Sequence, residues 1–268
     1  MAFLTINGVK TYVEDEGKGK ETLIFGHSML FNLRMFDQQV ELLSEHYRCI
    51  RYDFRGHGKT DGPFDGYDLD TLTEDFATLV NTLNCGPCHF VGFSMGGMVA
   101  MRAAIQFPEL IKSLILIDTS SDPEPKSGML RNTAMLVVAK HIGLAPLAPK
   151  VMSMFFGKAF LTDPKRKELY KEWKNHFVAN KRPGIVKAVK GVLFREGISH
   201  KISQIQQPTT ILVGDKDELT DLSKAQLLNE NIKDSVLKII PRAGHMSHVE
   251  EPSLVNQAIQ EHLNRVLP

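Results

Sequence analysis

Six short apolar runs recur along the chain: "TLIF" (22–25), "RCIRYDF" (48–54), "HFVGF" (89–93), "SLILID" (113–118), "TTILVG" (209–214) and "SVLKII" (235–240). Helical patterns separate them, notably Leu72 to Leu83, Met95 to Phe107, Leu222 to Asn231 and Ser253 to Val266. Strands that alternate with helices through short loops build βαβ units, and these predict an α/β fold with a mostly parallel, doubly wound sheet covered on both faces. The start differs: "AFLTI" and "VKTYVE" alternate around Asn7-Gly8, a pair that suits a type I′ hairpin turn.

The rhythm breaks after Asp118. From Ser121 to about Ser203 the periodicity is helical, with apolar clusters such as "AMLVVAKHIGLAPLAPKVMSMFF". The expected division is a core formed by residues 1–120 and 204–268, interrupted by a helical insertion over 121–203. One α/β domain is an ordinary use of 268 residues.

A formal net charge of +1 gives no reason to expect nucleic acid as a partner. The charge is uneven, however: residues 121–200 carry +9 and the remainder −8. That pattern fits a solvated lysine-rich helical face, or a field that steers anionic substrates. No run of eighteen apolar residues exists, so no membrane span is expected. The opening "MAFLTINGVK" lacks the cationic and apolar regions of a leader. Three cysteines, Cys49, Cys85 and Cys88, argue against a disulfide framework. The resulting expectation is a cytoplasmic protein; a homodimer is compatible with the sequence.

Two chemical signatures sit within "NCGPCHFVGFSMGG" (84–97). Cys85-Gly86-Pro87-Cys88 has dithiol spacing, and Gly92-Phe93-Ser94-Met95-Gly96 has the spacing of a serine nucleophile. A redox dithiol draws its low thiolate pKa from a helix N-terminus. This pair lies after a helical pattern and before a strand, and reads as a turn. The serine stretch follows a strand and opens a helix, the context of a nucleophile elbow. Ser94 would stand at the carboxyl edge of the sheet, with the N–H of Met95 at the helix start available to a developing oxyanion.

A serine hydroxyl needs a base, and the base needs an orienting acid. For this elbow the chain order is serine, acid, histidine. Asp217 follows the strand "TTILVG" and His245 follows "SVLKII", so both fall at the same sheet edge as Ser94.

With "FGHSM", "YDFRGHGKTD", "VGFSMGGMVA", "LVGDKDELT" and "AGHMSHVEEP" in this order, the chain resembles the α/β-hydrolase superfamily over essentially its whole length. It is similar to the branch of small carboxylesterases, enol-lactonases, carbon–carbon bond hydrolases and cofactor-free haloperoxidases. The resemblance implies Ser94 as nucleophile, Asp217 as acid, His245 as base and a cap over the site, with no cofactor and no metal. Where the branch carries His-Gly, this chain has Gly26-His27-Ser28-Met29; aligned on the histidine, Met29 supplies the second oxyanion donor.

Rivals exist for each role: His248 for the base, Asp215 and Asp118 for the acid. His245 with His248 as metal ligands lacks a third partner. His27 and His57 read as loop-tying residues. The expected activity is hydrolysis of small carboxylic esters. A lactonase, a carbon–carbon hydrolase or a perhydrolase could use the same residues, and a capped-pocket receptor is the alternative of another class. The expected partner is a small-molecule ester or lactone.

Overall fold

The computed structural model describes residues 1–267. Its eight strands form one sheet in the order β1-β2-β4-β3-β5-β6-β7-β8. β1 (Ala2–Ile6) and β2 (Val9–Glu16) are the expected hairpin, with Asn7 at φ 46° and Gly8 at φ 78°, the left-handed pair that a type I′ turn needs. β2 also pairs antiparallel with β4 (Arg48–Tyr52), and every later pairing is parallel. β3 (Thr22–Gly26) and β5 (Cys88–Phe93) are buried at every residue, as strands covered on both faces must be.

Two-residue alternation sorts the strand side chains between two cores. Leu23, Phe25, Val91, Phe93, Ile115 and Ile117 face α1 (Asp37–Leu43) and α11 (Pro252–Val266). Ile24, Phe90, Leu114 and Leu116 face α2 (Leu69–Thr82) and α3 (Met95–Gln106). There Phe76 of α2 stacks on Phe90 with ring centroids 4.3 Å apart.

From the end of β6 (Ile111–Ile117) the chain runs through α4 (Lys126–His141), α5 (Ala148–Phe155), α6 (Lys158–Thr162), α7 (Lys167–Val178) and α8 (Arg182–Leu193). It rejoins the sheet at β7 (Thr209–Gly214), followed by α9 (Leu222–Asn231), β8 (Ser235–Ile240) and the short α10 (Ser247–Glu250). No helix among the described residues is long and apolar enough to cross a membrane.

Two boundaries move from their expected places for local reasons. The run "RCIRYDF" leaves the sheet at Tyr52, because the Asp53 carboxylate turns the chain by accepting the N–H groups of Leu33 (2.9 Å) and Lys59 (2.8 Å). α2 starts at Leu69, three residues before its apolar pattern, because Asp68 caps it by accepting the Thr71 N–H at 2.8 Å. The Cys85–Cys88 segment is the turn between α2 and β5. Burial pushes the Cys85 thiol up to about 11 and Cys49 up to about 12, and raises Cys88 well above its ordinary range. These are small apolar residues in the core and poor thiolates.

Candidate active site

Ser94 joins β5 to α3 in a strained conformation, φ 51° and ψ −114°. Such a backbone costs on the order of 1–3 kcal/mol and persists only where neighbours over-determine it. The Ser94 N–H donates to the Ile117 carbonyl at 2.9 Å, and the Thr119 hydroxyl donates to the Ser94 carbonyl at 2.7 Å. Closeness does the rest: a Cβ on Gly96 would stand 2.0 Å from the Gly26 carbonyl oxygen. Strand and helix can therefore approach only with glycine at that position.

The ends of β5, β7 and β8 bring three side chains together. His245 Nε2 lies 3.0 Å from Ser94 Oγ, and His245 Nδ1 lies 2.9 Å from Asp217 Oδ2. A carboxylate accepts, so Nδ1 carries the proton and Nε2 is free to accept from the serine hydroxyl. Asp217 Oδ1 accepts the N–H groups of Leu219 and Thr220, and Oδ2 also accepts the Thr220 hydroxyl at 2.8 Å. Burial raises the Asp217 carboxyl, but His245 and these donors outweigh it and hold the group below its ordinary value. Phe93 and Phe155 pack against the imidazole, with centroids 5.1 and 5.2 Å away.

The rivals go elsewhere. Asp215 is exposed beside Lys216. Asp118 is buried at φ 44° and serves backbone and hydroxyl: Oδ1 accepts the Gly214 N–H at 2.8 Å, and Oδ2 accepts the Ser247 N–H and hydroxyl at 3.2 and 2.5 Å. It thus ties the turn that carries Asp217 to the loop that carries His245. Burial and the nearby Asp217 charge push its carboxyl well up.

His248 is buried with its ring against Phe36 and Phe93, and neither ring nitrogen has a partner. Burial, with His245 beside it, pushes its pKa down to about 3. An unfolded histidine binds a proton near pH 6.5 and this folded one does not, so His248 subtracts stability as pH falls below about 6.5. His248→Leu is therefore expected to gain on the parent by about 1–2 kcal/mol between pH 7 and pH 5. Urea midpoints at both pH values measure this; an unchanged difference would refute it.

Two features escape the sequence reading. Thr220 supports Asp217 and lies 3.3 Å from His245 Nδ1. Glu250 bridges the histidine loop and the start of α6: Oε1 accepts the Gly244 N–H and Oε2 the Gly157 N–H, both at 2.9 Å.

His27 and His57 do tie loops, and the loop they tie is the one beside the serine. His27 Nε2 must accept the Phe54 N–H (2.9 Å), which leaves Nδ1–H to donate to the Ser28 carbonyl at 2.7 Å. That carbonyl belongs to the same rigid peptide plane as the Met29 N–H. His57 Nε2 and Asn180 Nδ2 then hold the Met29 and Leu30 carbonyls at 2.7 and 2.6 Å. Met29, Ser94 and His245 all line one cavity of about 140 Å³, roofed by side chains of α4, α5, α7 and α8.

A mostly parallel sheet that gathers an elbow serine, an imidazole and a carboxylate at the ends of its strands has the architecture of a hydrolase. A sequence profile of the family described as alpha/beta hydrolase fold matches residues 21–252, and the chain belongs to that family. It is similar to 3-oxoadipate enol-lactonase 2 of Acinetobacter baylyi, with 29% identity over 247 residues that cover 92% of this chain and 90% of that protein. The AB hydrolase superfamily protein YisY of Bacillus subtilis is 30% identical over 261 residues, covering 96% of each. Among solved structures, an esterase from Exiguobacterium antarcticum shares 25% identity and a TM-score of 0.89, covering 98% of each chain.

Proposed function

We propose that the protein is a serine hydrolase of carboxylic esters, with Ser94, His245 and Asp217 as its triad and residues 121–203 as a cap over the site. The observation that carries this reading is the unbroken relay from Ser94 Oγ through both nitrogens of His245 to Asp217, opening into one cavity. His245 Nε2 takes the serine proton as Oγ attacks the ester carbonyl. The N–H groups of Met29 and Met95 hold the oxyanion, the second of them at the start of α3, where the first N–H groups have no acceptor within the helix. His245 then returns the proton to the departing alcohol, and a water activated by the same nitrogen releases the acid.

A lactone ring opens through the same steps, and the similarity to an enol-lactonase keeps lactones within the substrate range. The test is labelling by a fluorophosphonate followed by peptide mass analysis, together with turnover of short esters and lactones. Modification confined to Ser94, with loss of turnover in proportion, is the expected result. Full turnover in fully labelled protein would sink the proposal.

In this reading His27 aims an oxyanion donor through one peptide plane. His27→Ala is expected to lower kcat about 10- to 100-fold, with KM within about threefold, because the donor acts on charge that develops only in the transition state. Steady-state kinetics separate the two constants; a change confined to KM would contradict the assignment.

A further inference from the structure

Residues 121–200 carry a net charge of +9 against −8 for the rest of the chain, and the cavity beneath them shows almost none of that excess. Of the fifteen Lys and Arg residues within 121–200, Arg195 alone lines the cavity among the described residues; the only other Lys or Arg in its wall is Lys224 of α9. Each already has a carboxylate partner. Arg195 Nη1 donates to Glu124 Oε2 at 3.1 Å and to the Val192 carbonyl at 2.7 Å, while its Nε donates to the Asp122 carbonyl at 3.0 Å. Lys224 Nζ donates to Asp122 Oδ2 at 2.8 Å.

Both oxygens of each acid are engaged as well. Glu124 Oε1 accepts from Asn132 Nδ2 at 2.7 Å, and Asp122 Oδ1 accepts the Ser199 hydroxyl at 2.6 Å. Two cations and two carboxylates thus close on one another with no net charge. Elsewhere the walls are mostly apolar, with Met98, Met135, Met154, Leu144, Val151 and Ile185 among them, and their remaining polar side chains, such as Asn132 and Ser120, carry no charge. Methionine-rich walls adapt to flexible chains and offer nothing to a charge.

We propose, building on the serine-hydrolase reading above, that the pocket selects uncharged esters with an apolar acyl chain and rejects those whose acyl chain ends in a carboxylate. A carboxylate entering this cavity would leave water without meeting an unpaired cation, and a buried charge without its own counter-charge costs far more than its aliphatic part recovers. The basic segment is a solvated outer surface. The chain therefore parts company with any hydrolase that recognises the acid end of its substrate through a cap cation.

The test compares two six-carbon acyl groups, the p-nitrophenyl ester of hexanoic acid and the p-nitrophenyl monoester of adipic acid, at pH 7.5. The expected kcat/KM ratio favours the hexanoate by about 100-fold or more, on the cost of an unpaired buried charge. Glu124→Gln, which leaves Arg195 without its carboxylate, is expected to narrow that ratio about tenfold. A ratio of two substrates does not depend on how much of the variant is folded, so partial instability does not blur the result. Turnover of the adipate ester within about threefold of the hexanoate would overturn the selectivity, as would an unchanged ratio in Glu124→Gln. If neither ester turns over and Ser94 takes no fluorophosphonate, the hydrolase reading itself fails, which is a separate outcome.

Discussion

Ser94→Ala is expected to reduce ester turnover about 10⁴-fold or more, with the melting temperature and far-ultraviolet circular dichroism close to those of the parent. The magnitude follows from the absence of a substitute nucleophile. The Thr220 hydroxyl is committed to Asp217, and Ser120, which lines the same cavity, makes no hydrogen bond with the imidazole. The stability follows from how the elbow is held. Its bonds to Ile117 and Thr119 involve the backbone of residue 94, and alanine keeps both. Alanine must still adopt φ 51°, as serine does, so the strain is carried over unchanged. Residual activity near the parent level, measured on protein purified free of host esterases, would reject the nucleophile.

The elbow was legible in the sequence because its signal is local. Five residues between an apolar run and a helical pattern specify a tight strand-to-helix turn, and Gly96 can be justified by the 2.0 Å clearance a Cβ would have. The covered strands of the parallel region were legible too, since runs such as "HFVGF" are short, apolar and set between helical patterns; their order in the sheet was not. Apart from Thr220, which sits three residues from Asp217, what escaped depends on contacts between residues far apart in the chain. Nothing near Arg195 announces that Glu124, 71 residues earlier, will neutralise it. For that reason the sequence leaves the basic segment open as either a solvated face or a steering field, whereas the cavity wall bears on the question directly. Glu250 escaped for the same reason: its carboxylate reaches back 93 residues to Gly157. Asp118 could be read as a rival acid because its position at the end of β6 is correct; only the directions of its hydrogen bonds separate it from Asp217.

Those directions yield the second large effect. Asp217→Asn is expected to lower kcat by about 10³- to 10⁴-fold, and Asp118→Asn by no more than about tenfold. Four donors converge on Asp217: the N–H groups of Leu219 and Thr220 on one oxygen, the Thr220 hydroxyl and His245 Nδ1–H on the other. An amide has one acceptor oxygen, so asparagine must turn its NH₂ toward one of these pairs. If the NH₂ faces His245, the imidazole is driven to the tautomer with its proton on Nε2, and the nitrogen beside Ser94 becomes a donor instead of a base. If it faces the two N–H groups, the acid turn loses its anchor and the carboxylate charge that stabilises the imidazolium is gone in either case. At Asp118 the amide fits far better. Its oxygen can keep the Gly214 N–H, and its NH₂ can donate to the Ser247 hydroxyl, which accepts as readily as it donates; only the longer bond from the Ser247 N–H is lost. Removing that carboxylate also takes a second buried acid away from the neighbourhood of Asp217. The two variants therefore differ by at least about a hundredfold in kcat if Asp217 is the orienting acid. Equal losses, or the reverse order, would move that role to the end of β6 and leave the 2.9 Å contact between Asp217 and His245 without a catalytic purpose.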